Sequence, residues 1–111
     1  MSPSDRSSIS YNAALVLQAL AQGFGYGFDV MRVTQLPSGT VYPLLRRLED
    51  GGLVRSRWED EARAHEEGRP ARRYYEITGA GAAALTSAKS RLSIQRALFD
   101  GSLPGTGERS R

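Results

Sequence analysis

Apolar residues recur at helical spacing in several stretches of this chain and alternate in two shorter ones. Ile9, Ala13, Val16, Leu17 and Leu20 mark one face of a first helix, with Ser8 or Ser10 available as its N-cap. The glycine-rich residues 23–27 break that helix, and a short second one carrying Phe28, Val30 and Met31 is predicted to run to about Thr34. Val41, Leu44, Leu45 and Leu48 then fall at i, i+3, i+4 and i+7, the buried stripe of a third helix. Ser38 is its candidate N-cap, and Gly51 with Gly52 forms its stop. Pro43 lies past the first turn, where proline removes a donor and crowds the preceding carbonyl. An irregular first turn, or a start shifted toward Pro37, is therefore expected.

From Leu53 the pattern becomes extended. A strand around residues 53–59 is predicted to pair with one around 71–77, where Arg73, Tyr75 and Ile77 alternate with Arg72, Tyr74 and Glu76. One tyrosine should pack inward and the other face out. Trp58 is expected to pack against one of them, the other reading being a place in a ligand pocket. After Thr78, a candidate cap, residues 79–99 read as a long helix whose first turn is weakened by Gly79 and Gly81. Leu85, Leu92 and Phe99 recur every seven residues, with Ala88 and Gln95 between them. That seam suits another helix better than water. It could pack back on the first helix, but a helix this long on so small a domain predicts a homodimer through these five residues. The fold class expected is mainly α with a small β-hairpin.

The length of 111 residues allows one domain with a modest core. Residues 1–7 and 101–111 read as tails, residues 8–77 as the folded domain and 78–100 as the dimerisation helix. Without cysteine there is neither a disulfide framework nor a thiolate metal site. No run reaches the roughly 18 apolar residues of a membrane span, and the start lacks a signal peptide's apolar segment, so a cytoplasmic location is the expectation.

The net charge of +3 favours polyanionic partners only mildly, and its distribution says more. Arg46, Arg47, Arg55 and Arg57 lie in the third helix and first strand, while Arg69, Arg72 and Arg73 open the second strand. Between them, residues 59–67 hold five acids, one arginine and the only histidine. Phosphate would repel that run, so the hairpin tip is not expected to enter a DNA groove, and its acids read as a solvated loop. The flanking arginines are better placed. A single histidine, no cysteine and no glycine-rich phosphate loop leave no nucleophile–base pair or metal cluster to assemble. Neither an enzyme nor a cofactor is expected.

The segment LPSGTVYPLLRRLEDGGLV, followed by GRPARRYYEITGAG, resembles the PadR-type transcriptional regulators, and the likeness runs from about Tyr11 to near Phe99. It implies a dimeric winged helix-turn-helix of the short kind, with one C-terminal dimerisation helix. It also implies a repressor that reads an inverted repeat in double-stranded DNA and is released by a small molecule or partner. Residue by residue, it places DNA contacts on Ser38, Gly39, Thr40, Tyr42 and Arg46, with Arg47 on the phosphate side. Tyr11 and Tyr26 match tyrosines that meet the backbone, and Arg69 matches the wing arginine. Two departures limit the carry-over. The segment around Tyr26 has an extra glycine–aromatic element, and the last helix offers only Phe99 where drug-binding short members place a tryptophan. The competing reading is a winged-helix module that docks a protein without reading an operator.

Overall fold

The computed structural model describes residues 9–102. The tail expected at residues 1–7, together with Ser8, lies outside the described residues, as does the tail expected at 101–111 beyond Ser102. Helix α1 (Tyr11–Ala21) begins where the Ser10 hydroxyl accepts the Ala13 N–H at 3.1 Å, and it turns Val16, Leu17 and Leu20 inward. It stops at Gly23, whose φ of 98° lets the Gly23 N–H reach the Leu20 carbonyl and the Phe24 N–H reach that of Ala19.

Helix α2 (Gly27–Thr34) buries Val30 and leaves Phe28 exposed. Its turn into the next helix is closed by Thr34, whose hydroxyl donates to the Val30 carbonyl at 2.6 Å and accepts from the Leu36 N–H at 3.3 Å. Helix α3 (Ser38–Asp50) buries the stripe Val41, Leu44, Leu45 and Leu48. Its cap is Pro37, not Ser38: the Pro37 carbonyl accepts from both Thr40, at 2.9 Å, and Val41, at 3.0 Å. The shift toward Pro37 is thus the outcome, and Pro43 is carried within a continuous helix.

Strands β1 (Val54–Trp58) and β2 (Arg73–Ile77) pair antiparallel, with Val54 opposite Ile77, Ser56 opposite Tyr75 and Trp58 opposite Arg73. Arg55 opposite Glu76 and Arg57 opposite Tyr74 occupy the other face. Tyr75 packs inward as expected, but Tyr74 is not simply outward. The segment expected only to break α1 lies along β2 as a third strand position: the Tyr75 N–H donates to the Gly25 carbonyl at 2.8 Å, and Tyr26 bridges to Tyr74. The Tyr74 ring lies so close over Gly25 that no side chain would fit there. Trp58, expected to pack on a tyrosine, is 64% exposed and meets instead the Arg73 guanidinium, 5.7 Å from its ring.

The acidic run, expected as a solvated loop, is solvated at Asp60, Glu61, Glu66 and Glu67 but buries Glu59 and is helical rather than a loop. It forms helix α4 (Glu61–Glu66), capped by Asp60 accepting the Ala62 N–H at 2.9 Å and anchored by buried Ala64. Helix α5 (Gly79–Asp100) is capped by Thr78, whose hydroxyl accepts the Gly81 N–H at 3.0 Å. Gly81, which weakens that turn on propensity, is required by contact, because its backbone presses against the Leu53 carbonyl. The expected seam is divided. Leu85 and Ala88 are buried and Leu92 is partly buried in the chain's own core against α1, while Gln95 is exposed and Phe99 is 91% exposed. Length explains the division: at about 1.5 Å per residue, the 22 residues of α5 outrun the 11 of α1.

Candidate nucleic-acid interface

The outward side of α3 carries Ser38, Gly39, Tyr42, Pro43, Arg46 and Arg47, all exposed, with Thr40 half-buried. Its register follows from the inward stripe: burying Val41, Leu44, Leu45 and Leu48 sets Gly39, Tyr42 and Arg46 along the opposite side. A side chain at Gly39 would meet open space, so among the described residues nothing covers the helix start at this position. Among the described residues, neither Arg46 nor Arg47 has a carboxylate within 4.0 Å, and both guanidinium groups keep their hydrogen-bonding capacity free of an ion pair. Tyr42 also holds the helices together, because its ring lies against Gly27, where a Cβ would sit 2.5 Å from it.

Arg73 joins α3 to the hairpin. Its Nε donates to the Ser56 hydroxyl at 3.0 Å and its terminal nitrogen to Glu49 at 3.3 Å, while the Ser56 hydroxyl donates to the other Glu49 oxygen at 2.6 Å. Arg73 and Glu49 line, with Tyr42, Arg46, Asp50 and Tyr75, a cleft of about 350 Å³ beside the exposed side of α3. Burial raises the pKa of the Tyr75 phenol. Arg73 is therefore a strut that ties the hairpin to α3.

Arg69, expected as the wing arginine facing phosphate, is a clamp. It grips Glu59 with both terminal nitrogens, at 2.6 and 2.7 Å, and also reaches Glu67 at 2.8 Å. The Glu59 carboxylate is nearly buried and needs such a partner, which is the physical reason the arginine turns inward. The Arg72 N–H donates to the same carboxylate at 3.1 Å. The Arg69 hydrogen bonds, opposed by burial and aided by Arg72, lower the Glu59 pKa from 4.5 to about 2, and the same pair raises that of Arg69.

A lowered carboxylate pKa contributes stability that is fully present above pH 4.5 and is lost as pH falls toward 2. The wing is expected to loosen across that interval, read as a change in the fluorescence of Trp58, the only tryptophan. Glu59→Gln should remove this step from the acid titration. An identical acid limb in the variant would assign the step to another group.

The remaining expected residues lie elsewhere. Tyr11 is exposed and lines a groove of about 340 Å³ between α1 and α5 with Leu15, Leu85 and Leu92. That groove shares no residue with the cleft beside α3. Tyr26 and Arg72 meet on the outer face of the hairpin, with the guanidinium 4.5 Å from the ring centre. Arg57, one of the arginines flanking the acidic run, makes the same contact with Tyr74, which the strand register sets opposite it.

Three helices, the third turned outward, followed at once by a hairpin define a winged helix-turn-helix. Residues 16–87 match the transcriptional regulator PadR-like family, and the chain belongs to that family. It is one of transcription regulators and not of enzymes. A PadR family transcription regulator from Clostridium difficile R20291 superposes with a TM-score of 0.72 at 23% identity, covering 83% of this chain and 97% of that one. The protein smu.1704 from Streptococcus mutans UA159 does so with 0.70 at 26% identity, over 85% and 87%. The PcaV transcriptional regulator from Streptomyces coelicolor, solved with its natural ligand, shares the fold with a TM-score of 0.72 at 17% identity, over 92% of this chain and 68% of that one. No curated protein matches the chain significantly. Among the described residues, no helix is long and apolar enough to cross a membrane.

Proposed function

We propose that this regulator is a cytoplasmic repressor that binds an inverted repeat in double-stranded DNA as a homodimer. The observation that carries the reading is the outward side of α3, where Arg46 and Arg47 stand free of carboxylates next to an uncovered helix start. Backbone N–H groups and hydroxyls at Ser38, Gly39 and Thr40 suit phosphate and fix orientation, while an arginine can read a guanine edge with two hydrogen bonds. Arg72, expected beside them, lies over the Tyr26 ring on the outer face of the hairpin and is left out of this contact surface. Arg69 and Arg73 serve by holding the wing in place.

Residues 8–77 form the reading head and 78–100 the arm that pairs two copies. Exposed Ile94, Leu98 and Phe99 on the projecting half of α5 supply one apolar surface, and the groove lined by Tyr11, Leu15 and Leu92 supplies another. Two-fold pairing covers both at once. A small molecule or partner that alters the separation of the two reading helices releases the DNA.

The test is the salt dependence of binding to operator duplex in the presence of competitor DNA. Affinity should fall with a log–log slope of about −0.9 per phosphate contacted. Salt-insensitive binding, or none above competitor, would favour the protein-docking module.

A further inference from the structure

The outer face of the hairpin carries a second concentration of cationic groups, and its geometry differs from that of α3. Arg57 lies 4.5 Å over the Tyr74 ring and Arg72 4.5 Å over the Tyr26 ring. The two rings meet edge to face at 5.1 Å. Two guanidinium groups thus lie over a paired set of aromatic rings at one side of a cleft of about 450 Å³. A guanidinium held over a ring loses less freedom on gripping an anion than a free arginine does.

Charge at the cleft favours a single anion. Arg69 is neutralised by Glu59 and Glu67, and Arg63 is shared with Glu67 at 3.8 Å. Arg72 has no carboxylate within 4.0 Å among the described residues. Arg57 has only a loose contact of 3.9 Å with Glu76, which already pairs with Arg55 at 3.1 Å. Strand register separates this face from the reading helix: Ser56 and Arg73, which hold Glu49 of α3, belong to the opposite face. The carboxylates lining the cleft, Glu59, Asp60 and Glu67, leave its four arginines, Arg57, Arg63, Arg69 and Arg72, with a net charge of one, which suits one small anion better than a polyphosphate strand.

From this arrangement we infer a binding site for a small organic ligand bearing a carboxylate or phosphate group, held by the forks of Arg57 and Arg72. Volume and composition suit it, since small-molecule sites combine a concave surface with a few directed polar groups.

The full chain is titrated with inorganic phosphate and, separately, benzoate at constant ionic strength, observing arginine Nε–H and tyrosine ring signals by NMR. Saturable shifts at Arg57, Arg72, Tyr26 and Tyr74 are expected with at least one of the two anions. Affinity should fall about tenfold or more in Arg57→Gln/Arg72→Gln, each charge-assisted hydrogen bond being worth that much, and stay unchanged in Arg46→Gln/Arg47→Gln. Should the first double variant not fold, Arg72→Lys replaces it; this variant keeps the charge but loses the planar fork, and it should also weaken binding. Shifts that never saturate, that persist unchanged in those variants, or that arise with a DNA duplex but with neither anion would overturn the assignment.

Discussion

Arg46→Ala is expected to weaken operator binding by about 1–3 kcal/mol, roughly fivefold to 150-fold, and to relax preference at one base position. The expectation rests on what the side chain does not do. It has no carboxylate partner among the described residues and projects from the exposed side of α3, so its loss removes nothing from the fold. Arg73→Ala would behave differently, because that residue ties Glu49 and Ser56 together and its removal perturbs the wing as well. Fluorescence anisotropy with a labelled operator distinguishes the two when thermal unfolding is followed in parallel. Undiminished affinity in Arg46→Ala would take the residue off the contact surface.

Leu98→Glu/Phe99→Glu is expected to convert the dimer to a monomer and, with it, to abolish tight operator binding. The side chains are 65% and 91% exposed, so the folded chain by itself loses little by the change. In the dimer they would bring like charges together across the two-fold axis, at a cost of several kcal/mol, or about a hundredfold or more in the dissociation constant. Leu92→Glu, the substitution that the heptad pattern alone suggests, is a poorer test. Leu92 is partly buried against its own core, so its replacement would destabilise the monomer and the dimer together. Sedimentation velocity reads the outcome, and a double variant that remains dimeric would place the association on another surface.

Helix α3 was legible because its four-residue stripe at helical period and its glycine stop concern neighbours in sequence, although Pro43 left its start open between Ser38 and Pro37. The hairpin pairing was legible for the same reason. What escaped concerns partners distant in the chain. A seven-residue repeat states that Leu85, Ala88 and Leu92 need a helix to pack on, but not whose, and the chain's own α1 covers them. Likewise, residues 23–27 read as a break because the hydrogen bond that makes them a strand position comes from Tyr75. Arg69 looked free because Glu59, ten residues earlier, looked solvated; burial turned both into one clamp. The acidic run formed a helix around a single buried alanine, too little apolar spacing to register as a period.

The central claim, that this chain reads an operator as a two-fold dimer, is tested most directly by selecting from a random duplex library. The protein is held at near-physiological salt with excess competitor DNA, and the retained fraction is sequenced. The account predicts an enriched inverted repeat whose half-site centres lie about one helical turn apart. Retention without any common motif, or enrichment of a single unrepeated half-site, would contradict it.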